Sequence, residues 1–243
     1  LVKQFAEALY DRIPEQLPLR SEWLQICNQW KADYPVVTKD RHYGEEGLAN
    51  AYCFMNELSK LAPENTVVVS ANGSACVVGG SAFLIKNGQR FIINSGCASM
   101  GYELPASVGA CFASGKGNTY CLAGDGSIQM NLPELQTIVF HKLPIKVFVI
   151  NNQGYHSIRQ SQGNLFKEFT KCGVGPESGD LSFPDMEKIA NAYGLPYVGI
   201  KSNVEMTEKL EKFLSIEGYG LCEVFVDTEQ KFEPKPSTMK RAD

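Results

Sequence analysis

The stretch of sequence from 124 to 152 constrains the fold more than any other. A polar turn, Gly-Asp-Gly-Ser, follows the short apolar run 119–123, and an Asn-Asn pair ends a second apolar run, 145–150. Both runs predict buried strands, and the apolar residues between them recur at helical spacing. Strand, helix and strand together predict a crossover unit of a parallel sheet, which brings the two polar clusters to one edge.

The side chains of Asp125 and Asn152 predict a metal site at that edge. Small hard cations such as Mg²⁺ prefer oxygen ligands, typically one or two carboxylates completed by water and phosphate. Gly126 lets the backbone approach a bulky anion, and the N–H groups of Ser127 and of the following helix favour negative charge. The residues alone therefore predict a site for Mg²⁺ and a phosphate-bearing ligand.

The rest of the chain also alternates between strands and helices. We predict further strands at 66–70, 90–93, 197–200 and 221–226, and helices at 47–61, 104–113, 131–141 and 205–214. This alternation predicts an α/β fold, a doubly wound and mostly parallel sheet with helices on both faces. We expect residues 1–46 to form a helical connector or appendage, 47–230 the main domain, and 231–243 a truncated C-terminal tail.

Composition excludes several classes of protein. The 243 residues carry a formal net charge of −4, which argues against a nucleic-acid binder because such domains usually carry a basic stripe. The eight cysteines are scattered rather than closely spaced, so we expect reduced thiols and a cytoplasmic protein. No signal peptide or long apolar run is visible, and we expect no membrane partner.

The paired motifs resemble the signature of the thiamine diphosphate (ThDP) enzymes, in which Gly-Asp-Gly and Asn-Asn are joined by a spacer of this kind. The sequence is most similar to the acetolactate (acetohydroxyacid) synthases, through residues 124–131, 134–137 and 158–162. The resemblance covers residues 47 to 227. It implies that this chain carries the C-terminal, diphosphate-binding domain of such an enzyme, with ThDP and Mg²⁺ as cofactors.

The resemblance also implies roles for individual residues. Asp125, Asn152 and the backbone carbonyl of Gly154 would bind Mg²⁺. Met100 would wedge between the two rings of the cofactor and impose their V-shaped conformation, although a methionine taken alone is more simply a core residue. The remaining residues implied to contact the cofactor are Asn72, Gly73, Ser74, Ser99, Gly124, Gly126, Ser127, Tyr155 and Ile158.

Several positions depart from the synthase pattern. Ser74, Ala75 and Cys76 replace a Gln-His-Gln sequence, so Asn72 and Ser74 fit an ordinary turn as well as a cofactor contact. Glu103 and His156 stand where glycine is usual, and a hydrogen-bonded histidine is the simpler interpretation of His156. Ser161 replaces a tryptophan that narrows the acceptor pocket, which implies an acceptor larger than 2-ketobutyrate.

Three functions remain open at the level of sequence. The first is a carboligase that acts on a small 2-keto acid such as pyruvate, and the second is a non-ligating 2-keto acid decarboxylase, as a domain or a separate subunit. The third is a catalytically silent anion-binding module.

The resemblance implies that the activating glutamate belongs to a pyrimidine-binding domain, in a missing N-terminal part or on another chain. We therefore expect this chain alone to be inactive and the active form to be a homodimer or tetramer. FAD could be bound by a full-length protein but not by this chain.

Overall fold

The structure is a computed structural model that describes residues 2–10, 12, 20–166 and 172–233. Contacts divide the chain into two units, Leu1–Pro35 and Val36–Asp243. The first unit contains the helices α1 (Val2–Tyr10) and α2 (Ser21–Asp33). Within α2, the rings of Trp23 and Trp30 meet edge to face with centroids 5.8 Å apart, because a spacing of seven residues places both on one helical face.

The second unit is built on a sheet of parallel strands. Its strands are β1 (Val67–Ser70), β2 (Arg90–Ile93), β3 (Thr119–Gly124), β4 (Ile145–Asn151), β5 (Tyr197–Ile200) and β6 (Gly220–Phe225). Its helices are α3 (Lys39–His42), α4 (Ala51–Leu61), α5 (Gly73–Ala82), α6 (Glu103–Ala113), α7 (Glu134–Phe140), α8 (His156–Leu165), α9 (Met186–Tyr193) and α10 (Met206–Ser215). The strands lie in the order β2-β1-β3-β4-β6-β5, and every described pair is parallel.

Both faces of the sheet are buried under helices. In β4, Phe148 and Ile150 belong to a core shared with α4, α5 and α10, whereas Val147 and Val149 belong to a core shared with α6, α7 and α9. Successive side chains of a strand point to opposite faces, so an apolar run predicts this burial on both sides. The predicted doubly wound α/β fold is confirmed.

The sheet contains a topological switch point between β1 and β3. The chain passes from β1 outward to β2 and then returns to β3 on the other side of β1. Helix α5, which follows β1, and helix α6, which precedes β3, cover opposite faces. Ligands of open α/β sheets bind outside the carboxyl ends of the strands at such a crevice.

Some helices differ from the sequence prediction. Helix α5 occupies 73–82, a stretch for which we predicted no helix but only a polar turn around Asn72 and Ser74. A Cβ atom at Gly79 would lie 3.0 Å from the Phe91 ring, so the glycine at this position allows α5 to pack close to the sheet. The predicted helix 131–141 is instead a 3-10 turn, Ile128–Asn131, followed by α7, which begins directly after Pro133. Proline is favoured at the start of a helix because the N–H group that it lacks would have no partner there.

The unit boundary found from contacts lies before Val36, ahead of the predicted boundary at 46/47. Val36, Val37 and Tyr43 pack against the core, and the hydroxyl of Tyr43 bonds to the Glu57 carboxylate. At the other end, Phe232 packs against the core although it belongs to the predicted tail 231–243. Residues 234–243 of that tail lie outside the described residues. None of the described helices is long and apolar enough to cross a bilayer.

Glu103, in the first turn of α6, places an acidic group inside this fold. It is fully buried, and its Oε2 accepts a hydrogen bond from the Ser127 hydroxyl at 3.0 Å. Its Oε1 has no hydrogen-bond partner among the described residues. Burial raises the pKa of Glu103 to about 7, against the opposing effect of the hydrogen bonds that it accepts.

We predict that Glu103 makes folding stability depend on pH. Its carboxyl binds a proton more tightly in the folded chain than in the unfolded chain, whose pKa is near 4.5. The contribution of Glu103 to the free energy of unfolding should therefore be largest below that pH and should fall by about 3 kcal/mol as the pH rises through about 7. Glu103→Gln keeps the shape and an acceptor oxygen but removes the titration.

Urea unfolding of both proteins from about pH 4 to about pH 8 tests this prediction. All other titrating groups are common to the two proteins, so they cancel in the difference. The Gln variant should gain stability relative to the wild type as the pH rises. A difference that stays constant with pH would contradict the prediction.

Candidate functional site

A cavity of about 320 Å³ opens at the carboxyl ends of β1, β3 and β4. It is lined by every predicted site residue except Ser99, namely Asn72, Gly73, Ser74, Met100, Gly124, Asp125, Gly126, Ser127, Asn152, Gly154, Tyr155 and Ile158. Ser99 is exposed in the loop beside Met100. The lining also includes residues that the sequence analysis did not select: Ala98, Ile150, His156 and Ser157.

The Asp125 carboxylate joins the turns that follow β3 and β4. Its Oδ1 accepts a hydrogen bond from the N–H of Gly126, and its Oδ2 accepts one from the N–H of Gly154, 29 residues away, both at 2.9 Å. The register of β3 against β4, with Gly124 opposite Ile150, sets this approach. The structure therefore brings the two predicted polar clusters together at one edge of the sheet.

The electrostatics of Asp125 favour a bound cation. The side chain is only 2% exposed, and burial raises its pKa to about 7 despite the two N–H donors and the positive charge of Arg159. The cost of burying the ionised carboxylate therefore outweighs these favourable interactions. A divalent cation beside it would compensate the negative charge and return the carboxyl to its ionised form.

Asn152 supplies an oxygen atom that lacks a partner. Its Nδ2 donates to the Ser74 hydroxyl at 3.0 Å, which orients the amide. Its Oδ1 is buried and accepts no hydrogen bond from the described residues. Leaving a buried acceptor unsatisfied costs about 1–3 kcal/mol. A carboxylate and a neutral amide oxygen at neighbouring strand ends form the oxygen-donor set that Mg²⁺ prefers, so these residues fit such an ion.

Gly154 occupies a backbone position that only glycine fits. Its φ angle is +138°, and a Cβ atom there would overlap the carbonyl oxygen of Val174. Its own carbonyl oxygen accepts a hydrogen bond from His156 N at 3.1 Å, which leaves a second lone pair. The predicted role of this carbonyl as a metal ligand stays a prediction.

The turn at Gly126 and Ser127 offers backbone rather than side-chain donors to an anion. A Cβ atom at Gly126 would overlap the ring of Tyr155, which itself meets Phe183 edge to face at 5.6 Å. The Ser127 hydroxyl donates its one proton to Glu103 and accepts from the N–H of Gly101 at 2.9 Å. A phosphate oxygen needs a donor, so it would meet the backbone of this turn.

The loop that carries Met100 is held from two sides. Asn72 Nδ2 donates to the carbonyl of Ala98 at 2.8 Å, and Asn131 Nδ2 donates to the carbonyl of Gly101 at 2.7 Å. Met100 itself is 40% exposed and lines the cavity. Its side chain therefore lies outside the buried core and is available to a ligand.

Helix α8 presents both apolar and polar side chains. Ile158 is 45% exposed at the cavity, whereas His156 is buried and its Nε2 lies 2.9 Å from the side-chain nitrogen of Gln160. Burial lowers the pKa of His156, which favours the neutral ring. Ser161 is exposed one turn beyond the cavity-lining Ser157, whose carbonyl accepts its hydroxyl proton at 2.9 Å.

Arg159 is only 3% exposed and was not among the residues predicted to form the site. Its guanidinium bonds to the backbone carbonyls of Asn152 and Gln153 and to the carboxylate of Glu177. The spacing of positions 156 and 159 indicated that the two side chains share one face of a helix. It did not indicate that this face is buried, because both residues are polar. That face became recognisable as buried only once α8 was placed.

Comparison with known proteins agrees with this geometry. Residues 71–224 match the family model described as thiamine pyrophosphate enzyme, C-terminal TPP binding domain. The chain is 30% identical over 212 residues to the acetolactate synthase large subunit of Cyanidium caldarium, covering 87% of this chain and 34% of that protein. It is 31% identical over 211 residues to the mitochondrial acetolactate synthase catalytic subunit of Saccharomyces cerevisiae, covering 86% and 30%.

A further relative is the large subunit of Escherichia coli acetolactate synthase isozyme 2, which is 30% identical over 219 residues, covering 87% of this chain and 37% of that protein. The chain thus spans about a third of the length of the curated relatives that it matches. The family match covers more than half of the chain and includes the strand ends that form the cavity. The chain therefore belongs to the thiamine pyrophosphate enzymes and carries the C-terminal cofactor-binding domain of an acetolactate synthase-like member.

Proposed function

We propose that this domain binds the diphosphate of ThDP through Mg²⁺ in a carboligase that acts on a 2-keto acid such as pyruvate. One observation carries the proposal. The buried Asp125 carboxylate and the Asn152 Oδ1, which has no hydrogen-bond partner among the described residues, line the same cavity at the ends of adjacent strands. Asp125, Asn152 and the Gly154 carbonyl would hold the metal ion.

The chain's own residues would bind and orient the cofactor. The backbone of Gly126 and Ser127 would receive the diphosphate, and the exposed side chains of Met100 and Ile158 would contact its apolar rings. Bound ThDP supplies an electron sink for the decarboxylation of a 2-keto acid. The residues that line the cavity would hold and orient the cofactor, and such positioning lowers the cost of bringing reacting groups together.

We propose further that this domain is one half of an active site. A pyrimidine-binding domain, in the rest of a longer protein or on another chain, would supply the activating glutamate, and the active form would be a homodimer or tetramer. Two observations support this proposal. The chain spans only about a third of the length of its relatives, and the side chains of Met100 and Ile158 are exposed at the cavity, where a second domain could cover them. FAD would require a further domain. A cytoplasmic location remains part of this proposal.

Metal-dependent cofactor binding is the first test. In the presence of Mg²⁺, ThDP at about ten times the ThDP dissociation constant should stabilise the folded chain by about 1.4 kcal/mol. The midpoint of thermal unfolding should rise by roughly 3–5 °C. NAD and ATP should not. Asp125→Asn should abolish the Mg²⁺-dependent part of the shift because it removes the charged ligand.

The matched control is Asp40→Asn, at an exposed aspartate of α3 that does not line the cavity. It should retain the full shift. The proposal fails if ThDP stabilises the wild-type chain equally with and without Mg²⁺, or if Asp125→Asn behaves like the control.

The acceptor substrate can be tested at Ser161. We propose that the small side chain at this position leaves room for an acceptor larger than 2-ketobutyrate. In a full-length protein, Ser161→Trp should reduce kcat/KM for a bulky acceptor relative to a small 2-keto acid by about tenfold or more, since the ring would fill space one turn from Ser157.

Product analysis with pyruvate and a series of oxo acceptors supplies this ratio, with Ser161→Ala as the control for loss of the hydroxyl. A wild-type protein that makes acetolactate from pyruvate alone and ignores bulky acceptors would contradict the idea. Release of aldehyde without ligation would instead favour a simple decarboxylase.

A further inference from the structure

Arg159 places a charged group directly under the turn that carries the predicted metal ligands. Its Nη1 donates to the carbonyl oxygen of Asn152 at 3.1 Å, and its Nη2 donates to that of Gln153 at 2.8 Å. Its Nε donates to the carboxylate of Glu177. A guanidinium presents its donors in a rigid plane, so one side chain fixes two consecutive peptide groups relative to each other.

That turn needs external support. Gln153 has a φ angle of +54° and Gly154 one of +138°, so two consecutive residues adopt conformations that L side chains rarely take. Such conformations persist only when surrounding contacts hold them. The orientation of the Asn152 amide and of the Gly154 carbonyl depends on this backbone.

The segment from Gly173 to Asp180 packs against the same turn. The carbonyl of Val174 accepts a hydrogen bond from Tyr155 N at 2.7 Å. A Cβ atom at Gly175 would overlap the carbonyl oxygen of Gln153, so the two backbones are in close contact. Hydrogen bonds within the segment stiffen it, among them Ser178 Oγ to the carbonyl of Gly175 at 2.6 Å.

Glu177 completes this support because it balances the charge of Arg159. The Arg159 side chain is 2% exposed and that of Glu177 is 35% exposed. A buried guanidinium without this carboxylate would leave an uncompensated positive charge beside a site that must accept a divalent cation. With Glu177 in place, the guanidinium supports the turn without opposing the ion.

We propose that Arg159 and Glu177 are positioning residues for the metal-binding turn, so that Mg²⁺ affinity depends on the docking of segment 173–180 against 152–155. This inference rests on the proposed function of the cavity. Neither residue need touch the cofactor. Their effect is transmitted through the carbonyls of Asn152 and Gln153 and the backbone contacts at Val174 and Gly175.

The first experiment measures the Mg²⁺ concentration that gives half-maximal binding of ThDP to the chain. Arg159→Lys keeps the positive charge but loses the planar fork, and it should raise that concentration by about tenfold or more. Glu177→Gln should raise it as well, because the guanidinium charge is no longer balanced. The affinity for ThDP at saturating Mg²⁺ should change by less than about threefold. A general loosening of the cavity would instead lower the affinity for ThDP as well as the affinity for Mg²⁺.

Arg41→Lys is the matched control, because Arg41 forms an exposed ion pair with Glu233 at 3.3 Å and does not line the cavity. It should leave the Mg²⁺ requirement unchanged. If Arg159→Lys fails to fold, Glu177→Gln decides the question, since it retains the guanidinium and its bonds to the two carbonyls.

The second experiment needs no ligand. Hydrogen exchange of the chain without metal should be faster at the N–H groups of Gly154 and Tyr155 in Arg159→Lys than in Arg41→Lys, since these groups bond to Asp125 and Val174. Unchanged exchange and an unchanged Mg²⁺ requirement would overturn the positioning role alone. A wild-type chain that shows no Mg²⁺-dependent ThDP binding would overturn the proposed function and the metal role of this pair together.

Discussion

The double hydrogen bond of the Asp125 carboxylate is the constraint on which the site depends. By accepting from Gly126 and Gly154, it fixes the turn after β3 against the turn after β4. Parallel pairing of these strands determines that the turns are neighbours, and the carboxylate determines how they face each other. The cavity opens beside these turns, and the bond from Asn152 to Ser74 ties the turn after β4 to the start of α5.

Several features of the site lower the stability of the folded chain. The site buries a carboxylate, leaves the Asn152 Oδ1 without a partner among the described residues, and holds Gln153 at positive φ. The two apolar layers of the sheet offset these costs, as in β4, where Val147 and Phe148 fill opposite cores. Real proteins violate local rules mainly at functional sites, and here the violations cluster around one cavity.

The sequence predicted the parts of the fold that follow from periodicity. The apolar runs became β3 and β4, and the polar residues at their ends met at one edge, because both results depend only on strand geometry and parallel pairing. Helix α5 was missed because glycines and small residues hide its apolar face. Val36 could not be assigned to the core because its contacts are long-range, and Arg159 was overlooked because charge in a sequence gives no measure of burial.

Glu103 connects the turn at Gly126 and Ser127 with the loop that carries Met100. Its carboxyl accepts a hydrogen bond from the Ser127 hydroxyl, and the same hydroxyl accepts one from the N–H of Gly101, the residue after Met100. A glycine at 103, as the synthases usually have, would leave the Ser127 hydroxyl free to donate to a phosphate. Glutamate instead engages that hydroxyl, so Ser127 connects the turn that begins at Asp125 to the loop that carries Met100.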